Sequence, residues 1–178
     1  LNIWLGFGNN VFTINSTHAG ETTVYTAAGT DTVYINDASG LLTVNGEQDA
    51  DEFDVRATSL GSEVRLNGQE DADTFNLSDL APVLPAATTS GKIDSIDGLV
   101  VIDGGRDRDT VNVDDSANAA NKAATLTSNT LRGLEMPGGV NYANAEDFNL
   151  WLGTGTDGLY IDSTHAGTTD VFMGDGNA

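Results

Sequence analysis

Apolar residues recur along the chain at fixed distances from a short polar turn. The fullest example is Gly153 to Ile161, in which a GxGxD turn is followed by alternating apolar positions. Counterparts of Gly153 stand at Gly6, Ala27, Glu47, Gln69, Gly105 and Gly174, and the fifth position of the turn is Asn10, Asp31, Asp51, Asp73, Asp109, Asp157 and Ala178. Three residues before the turn come Ile3, Val24, Val44, Leu66, Ile102, Leu150 and Val171. Two residues after the fifth position come Phe12, Val33, Phe53, Phe75, Val111 and Leu159, followed two further on by Ile14, Ile35, Val55, Leu77, Val113 and Ile161. Polar residues mostly fill the places between, so each unit reads as strand, tight turn, strand, with alternate side chains inward.

Successive turns lie 21, 20, 22, 36, 48 and 21 residues apart. That is one coil of about 21 residues with two coils enlarged, and a fixed period of this length marks a stacked repeat, because one such unit cannot bury its apolar face alone. The predicted fold is all-β, a parallel β-solenoid of the β-roll or β-helix kind, with each column a ladder of like side chains at ~4.8 Å. Loop insertions are expected at about 79–98, where Pro82 and Pro85 exclude a central strand, and at about 116–147. In the second, residues 117–124 are expected to form a short helix and 136–139 a turn. Both insertions leave by the same edge and are expected to lie together.

A longer repeat overlies the short one. Residues 1–31 match 148–178 at an offset of 147, with 14 of 31 positions identical, including Trp4 with Trp151 and the whole of 16–20 with 163–167. The chain opens at Leu1 in mid-strand and stops at Ala178 inside a turn, so the expectation is a single solenoid segment over 1–178. It is read as one super-repeat of about 147 residues and the start of the next, stacked end to end with identical repeats or covalently continuous with them.

Composition narrows the partners. A formal charge of −20 with seven Lys and Arg argues against nucleic acid and anionic membranes, and favours solubility, cation binding or both. No stretch is long and apolar enough to insert in a membrane. The absence of cysteine removes disulfide and thiolate-metal chemistry and is compatible with export.

Fifth-position acids stacked on one edge raise an electrostatic problem. Two carboxylates ~4.8 Å apart repel by ~1 kcal/mol in water and by ~3 to 4 kcal/mol at an effective dielectric of 20, so a run of them needs counter-ions or shifted protonation. Calcium, a hard cation that takes carboxylate and carbonyl oxygens together, is one answer. Here the chain resembles the hemolysin-type calcium-binding nonapeptide of RTX proteins, GGxGxDxUx: Gly153, Gly155, Asp157 and Leu159 match it, as do Gly104, Gly105, Asp109 and Val111. The resemblance implies Ca2+ held between coils by turn aspartates, with Asp31, Asp49, Asp51, Asp71, Asp73, Asp107, Asp109 and Asp157 as the candidate ligands. The chain departs from the pattern at Asp49, Asp71 and Asp107, which replace the second glycine, and at Asn10. The other reading of these acids is that they satisfy the turn backbone in solvent.

Remaining candidates are weaker in kind. Asn15 and Asn76 fit the N-glycosylation acceptor pattern. His18 and His165 occupy equivalent crossings, lack other His or Cys partners, and read as turn-stabilising. Trp4 and Trp151 are placed on the outward face, as anchors for an insertion folded back or as platforms for sugar or a neighbouring filament. Paired acids on a β-helix also invite a carbohydrate-active reading, but a catalytic site is unique whereas these acids recur. The expected function is a structural, non-enzymatic segment of a large secreted or cell-surface protein, resembling the arrays of giant bacterial adhesins and forming an extracellular fibre, stalk or rod. The alternative is a calcium-binding RTX-like module of an exported enzyme or adhesin.

Overall fold

The computed structural model describes residues 1–82 and 90–176; Pro85 and Ala178, both used above, lie outside the described residues. Within them the chain forms β1 (Asn2–Trp4), β2 (Val11–Ile14), β3 (Glu21–Tyr25), β4 (Thr32–Ile35), β5 (Leu41–Glu47), β6 (Glu52–Val55), β7 (Glu63–Gln69) and β8 (Thr74–Leu77). There follow β9 (Leu99–Gly105), β10 (Thr110–Asp114), β11 (Ala123–Leu126), β12 (Thr130–Gly133), β13 (Met136–Ala143), β14 (Asp147–Trp151), β15 (Gly158–Ile161) and β16 (Thr168–Phe172). No helix occurs among the described residues.

The strands form two sheets, one ordered β1-β3-β5-β7-β9-β13-β12-β11-β15 and the other β2-β4-β6-β8-β10-β14-β16. Strands β1 to β10 alternate strictly between them, and all pairs are parallel except β11 with β12 and β12 with β13. The apolar columns are in register: Ile3, Val24, Val44, Leu66 and Ile102 line up in the first sheet. Phe12, Val33, Phe53, Phe75 and Val111 do so in the second. Alternate residues of β5 are buried along its length, and the inward residues of both sheets form one apolar cluster. Phe53 and Phe75 are stacked there, 5.1 Å apart, both fully buried.

Past Val111 the columns take a different course. Leu150 was expected beside Ile102, but Tyr142 stands there and Leu150 lies in the second sheet beside Val113. The cause is the second insertion, which is built of strands. β11, β12 and β13 add to the first sheet ahead of β14, so β14 falls on the opposite side from its like segment β1. The helix expected over 117–124 does not form. Asn118 Oδ1 accepts the Ala120 N–H (3.1 Å) and Asp114 Oδ1 accepts the Ser116 N–H (3.0 Å), local side-chain bonds of the kind that compete with a helix, and Ala123 and Ala124 pair in β11.

The two insertions meet, as expected. Lys122, its side chain 1% exposed, sets its ammonium against Asp94 and Asp115, 3.1 Å from Asp115 Oδ2. Asn118 Nδ2 donates to Asp94 Oδ1 (2.8 Å) and Asp115 Oδ1 (3.1 Å). Burial pushes the Asp115 carboxyl up against the opposing pull of Lys122. For Lys122, burial favours the neutral amine, but the bonds to Asp94 and Asp115 outweigh it and the net shift is upward.

Candidate functional site: the aspartate ladders

The turns that join the first sheet to the second carry the repeated acids, and their backbone explains the glycines of the motif. Both the first and third turn residues adopt left-handed φ: Ala27 (77°) and Gly29 (126°), Glu47 (75°) and Asp49 (70°), Gln69 (84°) and Asp71 (72°), Gly105 (103°) and Asp107 (74°). Non-glycine residues are strained there by roughly 1 kcal/mol, and Asp tolerates it better than most because its short side chain bonds nearby backbone. Gly153 and Gly155, whose turn looks closest to the motif, do not adopt this conformation.

Two ladders of side-chain to backbone hydrogen bonds run across these turns. On the exposed rim, Asp49 Oδ2 accepts the Gly29 N–H (3.0 Å), Asp71 Oδ2 the Asp49 N–H (3.1 Å) and Asp107 Oδ2 the Asp71 N–H (3.2 Å). Beneath it, Asp31 Oδ1 accepts from Asn10 N–H (2.5 Å), Asp51 from Asp31 (2.7 Å), Asp73 from Asp51 (2.8 Å) and Asp109 from Asp73 (2.8 Å). Glu146 Oε2 continues this inner ladder by accepting the Asp109 N–H at 2.9 Å. Each acid therefore satisfies a turn donor of the neighbouring unit that the strand ladders leave free.

The inner carboxylates are deeply placed. Asp31, Asp51, Asp73 and Asp109 are all buried, and among the described residues the second oxygens of Asp31, Asp73 and Asp109 have no hydrogen-bond partner. They fit because the residue preceding three of the turns is Gly46, Gly68 or Gly104. A Cβ on Gly46 would stand 2.6 Å from Asp51 Oδ2 and 2.8 Å from the Gly68 carbonyl oxygen. In the second turn Thr26 takes the glycine's place, donating its hydroxyl to the Gly46 carbonyl (2.5 Å). Burial, reinforced by neighbouring acids, pushes Asp51 up to about 8, Asp73 to about 7 and Asp109 to about 6. Part of the repulsion expected of a carboxylate stack is thus relieved by protons.

Asp157 does not join this edge. The exchange of sheets carries its turn to the opposite side, where Asp157 Oδ1 accepts the Lys122 N–H (2.8 Å) and Thr154 N–H donates to the Asn118 carbonyl (2.7 Å). Of the eight candidate ligands, the structure brings seven into the two ladders and leaves Asp157 apart. Among the described residues no three His, Cys, Asp or Glu side chains converge as a metal cluster.

Asn76 is buried, its amide donating to Asp54 Oδ1 (2.8 Å) and its carbonyl accepting from Asn112 Nδ2 (2.9 Å), which leaves no accessible amide for a glycan in the folded chain. Asn15 is exposed and accepts from Asn36 Nδ2 at 2.9 Å. His18 Nδ1 accepts the Gly20 N–H (2.8 Å), a local turn bond. Trp4 and Trp151 both stack on the next strand of their sheet, on Tyr25 and Phe172.

Sequence reasoning missed Gly46, Gly68 and Gly104, although they form a column immediately before the turn. It missed Lys122 as well, one of only seven Lys and Arg in an acidic chain. Also missed was the polar column Asp54, Asn76, Asn112 and Asn149 on the second sheet, where each asparagine amide donates to the preceding side chain at 2.8 to 2.9 Å. Burial pushes Asp54 up to about 6.

Compared with protein-family models, with curated proteins and with solved structures, the chain matches none.

Proposed function

We propose that the chain is a stretch of parallel β-solenoid from a large secreted or cell-surface repeat protein, in which such stretches form an extracellular fibre, stalk or adhesin rod. One observation carries this reading: the two like segments are built alike. Asn2, Ile3 and Trp4 of β1 pair with Thr23, Val24 and Tyr25, and at the offset of 147, Asn149, Leu150 and Trp151 of β14 pair with Asp170, Val171 and Phe172. The stacked ring pair recurs as well, at 5.5 Å and 5.1 Å with interplanar angles of 7° in both. A unit that reproduces register and packing after one super-repeat is suited to addition without limit, each repeat contacting its neighbours. Small-angle scattering and electron micrographs of chains carrying one, two and three super-repeats test it. The longest dimension should grow in equal steps, and a compact particle of constant aspect ratio would refute the rod.

A second reading, Ca2+ held along the ladders in an RTX-like manner, is favoured by the unpartnered oxygens of Asp31, Asp73 and Asp109. Calcium prefers six to eight oxygens, and here each inner carboxylate already spends Oδ1 on a backbone donor. Melting with calcium and after chelation decides it: a native-state ligand raises the midpoint by mass action, and no change up to millimolar calcium leaves the acids as turn residues. Magnesium should substitute poorly because it demands a tighter octahedral site.

A further inference from the structure

The two like segments differ in what covers them. At the offset of 147, Leu1 corresponds to Phe148, Trp4 to Trp151 and His18 to His165. Phe148 and Trp151 are 0% and 7% exposed, whereas Leu1 and Trp4 are each 67% exposed.

The cover on the second segment is laid down by residues 110–147. β10 runs beside β14 with Val111 opposite Phe148 and Val113 opposite Leu150. β11 runs beside β15 with Ala124 opposite Leu159 and Leu126 opposite Ile161. Tyr142 stacks on Phe148 (centroids 4.6 Å) and meets His165 edge-on (5.9 Å), its hydroxyl donating to the Thr127 carbonyl at 2.6 Å. Ser163 Oγ accepts the Ser128 N–H at 2.9 Å. At the first segment the corresponding space is a cleft of about 240 Å³ bounded by Leu1, Ile3, Phe12, Ile14 and His18, and among the described residues the outer edges of β1 and β2 carry no strand.

We infer that the face formed by residues 1–18 is a docking site for a second copy of this repeat, which presents its residues 110–147 there as they are presented to 148–165 within the chain. The second copy's Tyr142 fills the cleft between Leu1 and His18. Its Val111 and Val113 stand opposite Leu1 and Ile3, and its Ala124 and Leu126 opposite Phe12 and Ile14. An edge strand of a parallel sheet is a template for a further strand, and these pairings replace apolar residue with apolar residue at every inward position. The copies join with their sheets exchanged, because β10 of the second sheet extends β1 of the first. This inference deepens the stacked-repeat reading and rests on it for the identity of the occupant.

The test is a tandem chain, residues 1–147 followed by residues 1–178, with every tryptophan replaced by phenylalanine except Trp4 at the junction. Acrylamide quenching of that tryptophan should fall several-fold from its value for Trp4 in the single chain, approaching that of Trp151, in line with 67% against 7% exposure. The ring protons of the junction His18 should shift as those of His165 do, and Tyr142→Leu in the first copy alone should abolish the shift. Quenching equal to that in the single chain overturns the docking site, as does a tandem whose circular dichroism shows no more strand than one copy. Protection of Trp4 in the single chain as its concentration rises would make the occupant a second amino-terminal face, and would equally overturn it. Small-angle scattering on the same tandem separates the two readings. An elongated particle with Trp4 exposed defeats the docking site and leaves the rod, while a compact particle with Trp4 protected defeats the rod and leaves the docking site.

Discussion

Replacing Asp73 by asparagine tests whether protons hold the inner ladder together. Asp73 Oδ1 accepts the Asp51 N–H at 2.8 Å, while Oδ2 is buried and unpartnered. Burial, then the charges of Asp109 and Asp71, raise this carboxyl from an ordinary 3.8 to about 7. The native state therefore binds the proton more tightly than the unfolded chain, so stability is fully present below about pH 4 and is lost as pH rises through about 7. At about 1.4 kcal/mol per tenfold change in proton affinity the loss across this window is ~4 kcal/mol. Because Asp51 and Asp109 titrate with Asp73, about half of that, ~2 kcal/mol, is assigned to this position. In Asp73→Asn the amide oxygen keeps the bond to Asp51 and no proton is gained or lost. The wild-type chain should lose stability between about pH 4 and pH 8, and the variant should lose ~2 kcal/mol less over that range. Urea unfolding followed by circular dichroism, at fixed ionic strength with chelator present, measures both slopes. A wild-type stability that is flat or rising over this range, or a variant with an unchanged slope, would refute the reasoning.

Other perturbations reach different parts of the structure. Gly68→Ala drives a Cβ against Asp73 Oδ2 and the Gly104 carbonyl and should cost about 1–3 kcal/mol, whereas Gly158→Ala, with open space around it, should stay within about 0.5 kcal/mol; urea midpoints compare them. Phe75→Asp or Val111→Asp places an unpaired carboxylate in the fully buried cluster and should abolish the cooperative transition in a thermal scan. Lys122→Ala strands the buried Asp115 carboxyl and should cost about 3–5 kcal/mol, most of it recovered in Lys122→Met combined with Asp115→Leu.

The columns were legible because one rule governs them: inward positions at a spacing of two, repeated at a fixed distance from a turn. Val44, Phe53, Leu66 and Val111 obey it and are buried. The hairpin of β12 and β13 was not legible. Its two-residue turn is Leu134 and Glu135 with φ of 53° and 61°, a conformation normally announced by Asn-Gly or Asp-Gly. Leu134 tolerates it with its side chain buried in the apolar cluster, a tertiary gain invisible to a local reading. Missing that hairpin hid the exchange of sheets, and with it the true place of Leu150 and Asp157. Fifth-position acids were legible as a stack, but their partners were not, since an aspartate that accepts a backbone N–H one unit away leaves no trace in its own neighbourhood of the sequence.

That exchange bears on how an array of such repeats carries its charge. On one edge the inner ladder runs through Asp31, Asp51, Asp73, Asp109 and Glu146, and the rim ladder adds Asp49, Asp71 and Asp107. Strand spacing of ~4.8 Å makes the run about 20 Å long, some two screening lengths at physiological ionic strength. Were the acids to continue on that edge through copy after copy, each would feel uncompensated neighbours on both sides. The turn of Asp157 instead stacks on 118–122, on the edge where the crossings lie. In the array proposed above, a following copy would start its acidic edge on the opposite side, and the two runs would be separated by the width of the sheets. In that proposed array the insertion that breaks the period would also break the line of charge, so the hairpin of β12 and β13 would let an acidic stack recur from copy to copy.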